Sequence, residues 1–245
     1  MRKIFMLLAS LCFCFGEEKI YATFEVLAKN SSKLAFESSG IVSSVNVDVS
    51  DTLKKGDVLA RLENSSELIA LQKAKNDLAL AVTAKNFALN TLKKFEKVKD
   101  VTSKQNFDEA KFSYDKAALD EQSAKIAIKN IENILDKKQL KAPFDAVVVQ
   151  KNVEVGEGVG AVMQSAFIIN SSDSKLLIAI DEKFANAVKV GDKFIFKLDG
   201  EANEQSAEIS LVYPIIEPKN RKFYAEAYIK GIKPGLFGEG YVVAK

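Results

Sequence analysis

The sequence predicts a mixed α and β protein, elongated and multidomain: a β-domain split by an inserted antiparallel helical hairpin, followed by a small β-barrel. Three observations carry this expectation. Residues 65–138 contain neither Gly nor Pro, and their apolar residues recur at heptad spacing. The flanking stretches, 38–64 and 139–171, repeat one layout of strand, strand, Gly or acidic turn, strand. Residues 172–245 then hold five short strands separated by turn residues.

The elements follow in chain order. Arg2-Lys3 precedes an uncharged run from Ile4 to Phe15 and then Gly16-Glu17-Glu18. A basic start and an apolar core too short to span a bilayer predict a cleavable signal peptide over 1–16. Cleavage after Gly16 is preferred to cleavage after Ala22, because it keeps Ile20 to Leu27 as a first strand. Lipidation at Cys12 or Cys14 is disfavoured, since Leu11 and Phe13 stand where a small residue is needed. Residues 17–37 are expected to contribute a strand to the barrel region.

From Ile41 to Val49, Val and Ile alternate with Ser, Asn and Asp, which predicts a strand with one apolar face. Gly40 and Gly56 supply turns. The first helix is expected from Ser65 to about Lys99, with a seam of Leu71, Leu78 and Leu92 alternating with Ala74, Ala81, Ala88 and Phe95. Ser103, with Asn106 three residues on, reads as the N-cap of a second helix from Lys104 to about Lys138. Its seam is Phe107, Ala110, Tyr114, Ala117, Ala124, Ile128, Ile131 and Leu135. Two such helices joined by a short turn must lie antiparallel, each on the order of 50 Å long. Lys85 and Glu121 interrupt the seams. Two readings stand side by side: separate snorkelling to solvent, or an ion pair that fixes register.

After Gln139 the β pattern returns, with a strand at Val147-Val148-Val149. Further strands are expected over Leu176–Ile180, Phe194–Leu198, Ala207–Tyr213, Phe223–Ile229 and Gly238–Val243, with a short helical turn between Glu182 and Val188. The two repeated segments, 38–64 and 139–171, would interlock as the halves of a flattened biotinyl/lipoyl-type barrel, with the hairpin of 65–138 inserted at its centre and a β-barrel over 172–245. In a group carrier, that central hairpin presents the modified Lys. Here coiled coil occupies its place.

Composition narrows the function. Of 245 residues, 35 are basic and 33 acidic, and the signs are interspersed, so the chain offers no basic face for nucleic acid. There is no His, and both Cys residues fall within the signal. Ser-His-Asp and Cys-His chemistry is therefore excluded, along with the commonest transition-metal ligands. Gly156-Glu157-Gly158-Val159-Gly160 lacks the helix and the Lys-Ser/Thr of a phosphate loop. No catalytic, cofactor or metal residue is assigned, and the chain reads as one that binds and positions.

The order of "SSGIVSSVNVDVSDTLKKGDVLARLE", a helical hairpin, "LKAPFDAVVVQKNVEVGEGV" and "IKPGLFGEGYVV" resembles the periplasmic adaptor (membrane fusion) proteins of bacterial tripartite efflux systems, over roughly residues 35 to 243. The resemblance implies a non-enzymatic linker in the periplasm between an inner-membrane transporter, of the RND type, and an outer-membrane channel. It also implies a homo-oligomeric ring, commonly of six. An ABC-type exporter is the alternative transporter, and a biotinyl/lipoyl carrier subunit the alternative class. In the family the hairpin tip meets the channel, which here makes Lys94, Val98, Val101, Thr102, Ser103, Lys104 and Gln105 the candidate contacts. Of the Arg, Leu and Ser that line the tip in the channel-docking subgroup, only the Ser is matched, by Ser103; Leu92 and Glu96 occupy the other two positions.

Overall fold

The computed structural model describes residues 18–98, 103–162, 165–200 and 203–244. The expected signal peptide, with Cys12 and Cys14, and the tip candidates Val101 and Thr102 lie outside the described residues. In chain order the elements are β1 (Glu18–Ala28), β2 (Ser31–Leu34), β3 (Gly40–Val45), β4 (Thr52–Leu53), β5 (Val58–Leu62), α1 (Ser65–Lys97) and α2 (Lys104–Lys137). There follow β6 (Gln139–Lys141), β7 (Ala146–Lys151), β8 (Gly158–Val159), β9 (Phe167–Ser171), β10 (Ser174–Asp181), β11 (Lys193–Leu198), β12 (Gln205–Glu217), β13 (Lys222–Ile229) and β14 (Phe237–Ala244). A 3-10 turn at Glu182–Phe184 stands where a short helical turn was expected. The described residues fall into two units, one drawn from 1–31 and 170–245, the other 32–169.

The first unit is a closed six-stranded barrel in the order β1-β10-β13-β12-β11-β14, closed by β14 on β1. Closure removes exposed sheet edges. Along β1 the period of two sends Ile20, Ala22, Phe24 and Val26 inward, each at most 3% exposed. Phe24 meets Phe196 edge-on at 5.1 Å, and Phe194 stacks on Phe196 at 5.7 Å. These rings fit because β14 carries Gly at two inward positions. A Cβ on Gly238 would lie 2.9 Å from the Phe24 ring, and one on Gly240 would lie 2.3 Å from the carbonyl of Ile195. Glu226, 4% exposed, accepts from Lys175 Nζ at 2.5 Å and from Tyr213 OH at 2.7 Å, so this buried charge is paired.

The second unit has two four-stranded sheets, β2-β9-β7-β4 and β6-β5-β3-β8. Residues from both sides of the hairpin share one core: Phe36, Val42, Leu59 and Leu62 pack with Leu140, Val148, Phe167 and Ile169. Ser31–Leu34, which the sequence groups with the barrel strand, instead forms the edge of a sheet here. Its alternating partial burial follows from that position.

One turn recurs through both units. In Lys54-Lys55-Gly56-Asp57, Gly56 has φ 94°, Asp57 N–H donates to Lys54 O, and the Asp57 carboxylate accepts from Lys54 N–H at 2.8 Å. Glu154-Val155-Gly156-Glu157 repeats this with φ 91° and 3.1 Å, and Lys189-Val190-Gly191-Asp192 with φ 93° and 2.7 Å. The left-handed third residue is why Gly stands there. Each turn then bonds twice to one residue opposite. Gly56 N–H donates to Ala142 O while Ala142 N–H donates to Asp57 O; Gly156 and Glu157 do the same with Val42. Each half of the split domain thus docks its turn on the other half.

Asp48-Val49-Ser50-Asp51 is the same turn built on a Ser. Ser50 has φ 78°, Asp51 accepts from Asp48 N–H at 2.7 Å, and Ser50 N–H and Asp51 O bond to Val148. This corrects the strand expected to run on to Val49: β3 ends at Val45, and Val49 is 49% exposed. Alternation persists past the point where the carboxylates of Asp48 and Asp51 capture the backbone.

The helices form where the heptads place them. Every seam position named above is buried or half-buried, and Ala74, Ala88 and Leu92 of α1 and Ala110 and Ala117 of α2 are the buried ones. The helices run antiparallel, with Leu62 N–H donating to Lys138 O at their base. Lys85 meets Glu121 across the seam at 2.9 Å, so the ion-pair reading holds. Lys125 meets the second oxygen of Glu121 at 2.5 Å, and the carboxyl is held below its ordinary pKa first by Lys125 and then by Lys85.

Candidate functional site

The far end of the hairpin is built by two helix caps. Ser103 is extended (φ −67°, ψ 142°), and its Oγ accepts from Asn106 N–H at 3.2 Å, which satisfies one free donor of the first turn of α2. Val98 ends α1, its N–H donating to Phe95 O at 3.2 Å. Lys94, Val98, Ser103, Lys104 and Gln105 are all exposed and are brought to this one end by the antiparallel packing. Gln105 Nε2 donates to Glu109 Oε1 at 2.9 Å, and a shallow groove beside it is lined by Lys104, Asp108, Phe112 and Ser113.

Three lysines stand at the helix ends here. Lys94 and Lys97 lie in the last turn of α1, where the negative pole of the helix dipole favours cations. Lys104 opens α2 at a positive pole, and the first turn of α2 holds no acidic residue to offset it. A cation placed against the dipole has no folding benefit, and the exposed carboxylates of Glu96, Asp108 and Glu109 stand among these lysines, so both signs of charge are presented at this end. Leu92, which stands where the subgroup pattern has Arg, is 8% exposed in the seam and does not reach the surface. Glu96 is exposed.

At the other end, a network not anticipated from the sequence fixes the hairpin to its sheet. Lys138 Nζ donates to Glu63 O at 2.7 Å and lies 2.8 Å from Glu67 Oε1. Ser65 donates to Glu63 through both its hydroxyl and its N–H. The Ser65 hydroxyl holds the Glu63 carboxyl below its ordinary pKa, and Lys138 does the same for Glu67. The only sequence signal was a Lys at the end of α2, an ordinary C-terminal preference. Among the described residues no group of His, Cys, Asp and Glu could hold a metal ion, and no helix is long and apolar enough to cross a membrane.

Comparison with known proteins agrees with this layout. The family described as CzcB-like, barrel-sandwich hybrid domain matches residues 31–170. The cobalt-zinc-cadmium resistance protein CzcB of Cupriavidus metallidurans is 26% identical over 217 residues, covering 81% of this chain and 40% of its own length. The chain spans less than half the length of the curated relatives it matches. Among solved structures, a MacA-MexA chimera containing the Pseudomonas aeruginosa MexA α-hairpin domain superposes with a TM-score of 0.74 at 19% identity, covering 94% of this chain and 83% of that one. MacA from Actinobacillus actinomycetemcomitans gives 0.72 at 21%, covering 93% and 79%.

Proposed function

This chain belongs to the CzcB-like barrel-sandwich hybrid family, and from that premise we propose that it is a periplasmic adaptor joining an inner-membrane efflux transporter of the RND type to an outer-membrane channel. The observation that carries this reading is the insertion itself. Both connections of the hairpin sit at one end, bound through Leu62 and Lys138, while the opposite end exposes Lys94, Val98, Ser103, Lys104 and Gln105. A two-helix arm held so firmly at its base, with exposed residues at its tip, is suited to reaching a partner head-on.

In this reading the chain performs no chemistry. The hairpin tip, including Val101 and Thr102, meets the channel; the barrel meets the transporter; and copies of the chain assemble as a ring, of six in the family pattern. A signal peptide over 1–16 delivers it to the periplasm. The relative's resistance to cobalt, zinc and cadmium puts divalent cations first among the cargoes to test. Cargo need not touch the adaptor, and a chain without His suits a linker better than a metal carrier.

The test is deletion in the host. Loss of the chain is expected to sensitise cells to exported cations or dyes, with resistance restored by the intact chain and not by one with an altered tip. Cells that tolerate every tested compound after deletion, with the transporter and channel present, would overturn the reading.

A further inference from the structure

One end of the six-stranded barrel carries charged side chains that neither its core nor its closure uses. Three adjacent strands stop there at one level, where Ala28 of β1, Ser174 of β10 and Ile229 of β13 form a single row. The next residue outward on each strand is charged. Lys29 and Lys230 follow the two outer strands, and Asp173 belongs to the strand between them. With Ser174, Tyr228 and Ile229 they line a cleft of about 370 Å³.

Pairing does not account for these charges. Among the described residues neither lysine makes an ion pair with Asp173 or with any other carboxylate. The neighbouring Lys175 and Glu226 are already bonded to each other, and Glu226 also to Tyr213. Lys29 instead lies over the ring of Tyr228, 4.8 Å from its centroid, and Tyr228 is 51% exposed. A cation–π contact at an exposed ring is weak beside a charge-assisted hydrogen bond to an oxyanion, so an anion in the cleft draws Lys29 off the ring. Ser174, 1% exposed, fixes the floor by donating its hydroxyl to Ile232 O at 2.7 Å.

The charge pattern selects what fits. A bare anion meets two cations but also the Asp173 carboxylate, and a bare cation meets the two lysines. A small zwitterion satisfies both signs: its phosphate takes Lys29 and Lys230, and its ammonium takes Asp173 and the ring face that Lys29 leaves. The lining is net positive by one charge, two lysines less one aspartate. A phosphate monoester of about −2 joined to one ammonium is close to its complement. We propose that this cleft binds a phosphoethanolamine group, free in solution or presented as a lipid headgroup. The site is built from the barrel unit alone, so it neither depends on the adaptor reading nor falls with it.

Calorimetric titration of the purified chain tests it, with O-phosphoethanolamine, inorganic phosphate and ethanolamine as probes. O-phosphoethanolamine is expected to bind roughly tenfold tighter than either fragment, because only it uses both ends of the site. Lys29→Ala and Asp173→Asn should each weaken it by about tenfold. Both side chains are exposed, so circular dichroism should not change. Sedimentation with vesicles distinguishes the sources. Retention on phosphatidylethanolamine–phosphatidylglycerol vesicles that Lys29→Ala removes, with none on phosphatidylglycerol alone, assigns the lipid headgroup; binding of the soluble probe alone assigns a free compound. Equal affinity for inorganic phosphate and O-phosphoethanolamine would overturn the proposal. So would binding that survives both substitutions, or no heat of binding at about 10 mM probe.

Discussion

The ammonium of Lys85 and the carboxylate of Glu121 lie 2.9 Å apart across a seam otherwise lined by apolar residues. Side chains in that position need not meet, and their meeting ties one vertical offset of the helices to a charge interaction. Lys125 holds the other oxygen of Glu121. The carboxylate is therefore shared between the helix that carries it and the helix it faces.

The pH dependence of the hairpin follows from that sharing. The folded-state pKa of Glu121 is lowered, by Lys125 first and Lys85 second. A lowered carboxylate contributes stability that is present above its ordinary value and lost as the pH falls through the folded one. Helicity measured by circular dichroism during thermal melts should fall in midpoint below about pH 4.5. Glu121→Gln should weaken that dependence; an unchanged pH profile would show that the pair adds nothing to stability.

Substitutions at Ser103 separate folding from the docking proposed for the tip. Ser103→Ala removes the cap of α2 and should lower stability by about 1 kcal/mol in urea denaturation. Ser103→Asp retains the cap and adds a negative charge to the proposed contact surface, so it should leave the melting curve almost unchanged and abolish export in cells. Normal export by a well-folded Ser103→Asp chain would remove the tip as the docking surface.

The turn at Ser50 predicts a gain. A non-Gly residue at φ 78° is strained by roughly 1 kcal/mol, and Gly recovers part of this against its own entropy. Ser50→Gly should raise stability by about 0.5 kcal/mol, while Gly56→Ala, at φ 94°, should lower it by about 1 kcal/mol. Equal effects of the two changes in denaturant titrations would contradict a shared turn.

Gly240 predicts a loss. A methyl group there would press against the carbonyl of Ile195 at 2.3 Å and the Phe194 ring at 2.8 Å, so backbone as well as side chain must move. Gly240→Ala should destabilise the barrel by about 3 kcal/mol, read as a lower urea midpoint for exchange of β11 and β14 amides. A small effect there would mean that β14 can slide on β11.

How much of this was legible depended on whether one residue carried the signal or several did. The seams were readable because burial of Ala88 and Ala117 recurs with period seven, and the repeat because Gly56 and Gly156 mark equivalent turns. The turn at Asp48–Asp51 was hidden, since Ser50 carries no sign of a left-handed backbone and Val49 continues the strand alternation. The clamp at Lys138 was equally out of reach, because Glu63 and Glu67 are more than seventy residues away in sequence. Of the tip, the cap at Ser103 was legible; Val101 and Thr102 lie outside the described residues.

The reciprocal docking of Gly56 on Ala142 and Gly156 on Val42 bears on the order in which the chain can be made. The first half leaves the ribosome with its turn partner unsynthesised, and joining the halves through an unstructured segment of roughly 70 residues would cost on the order of 4 kcal/mol in chain entropy. The hairpin removes most of that cost, since its helices need only local contacts and their antiparallel pairing delivers Gln139 beside Arg61. The same nesting continues outward, because β1 waits for both β10 and β14. The protein closes like brackets within brackets, from the middle of the sequence to its ends. A lesion in the hairpin should therefore show itself first as a failure of biogenesis in the β-domains.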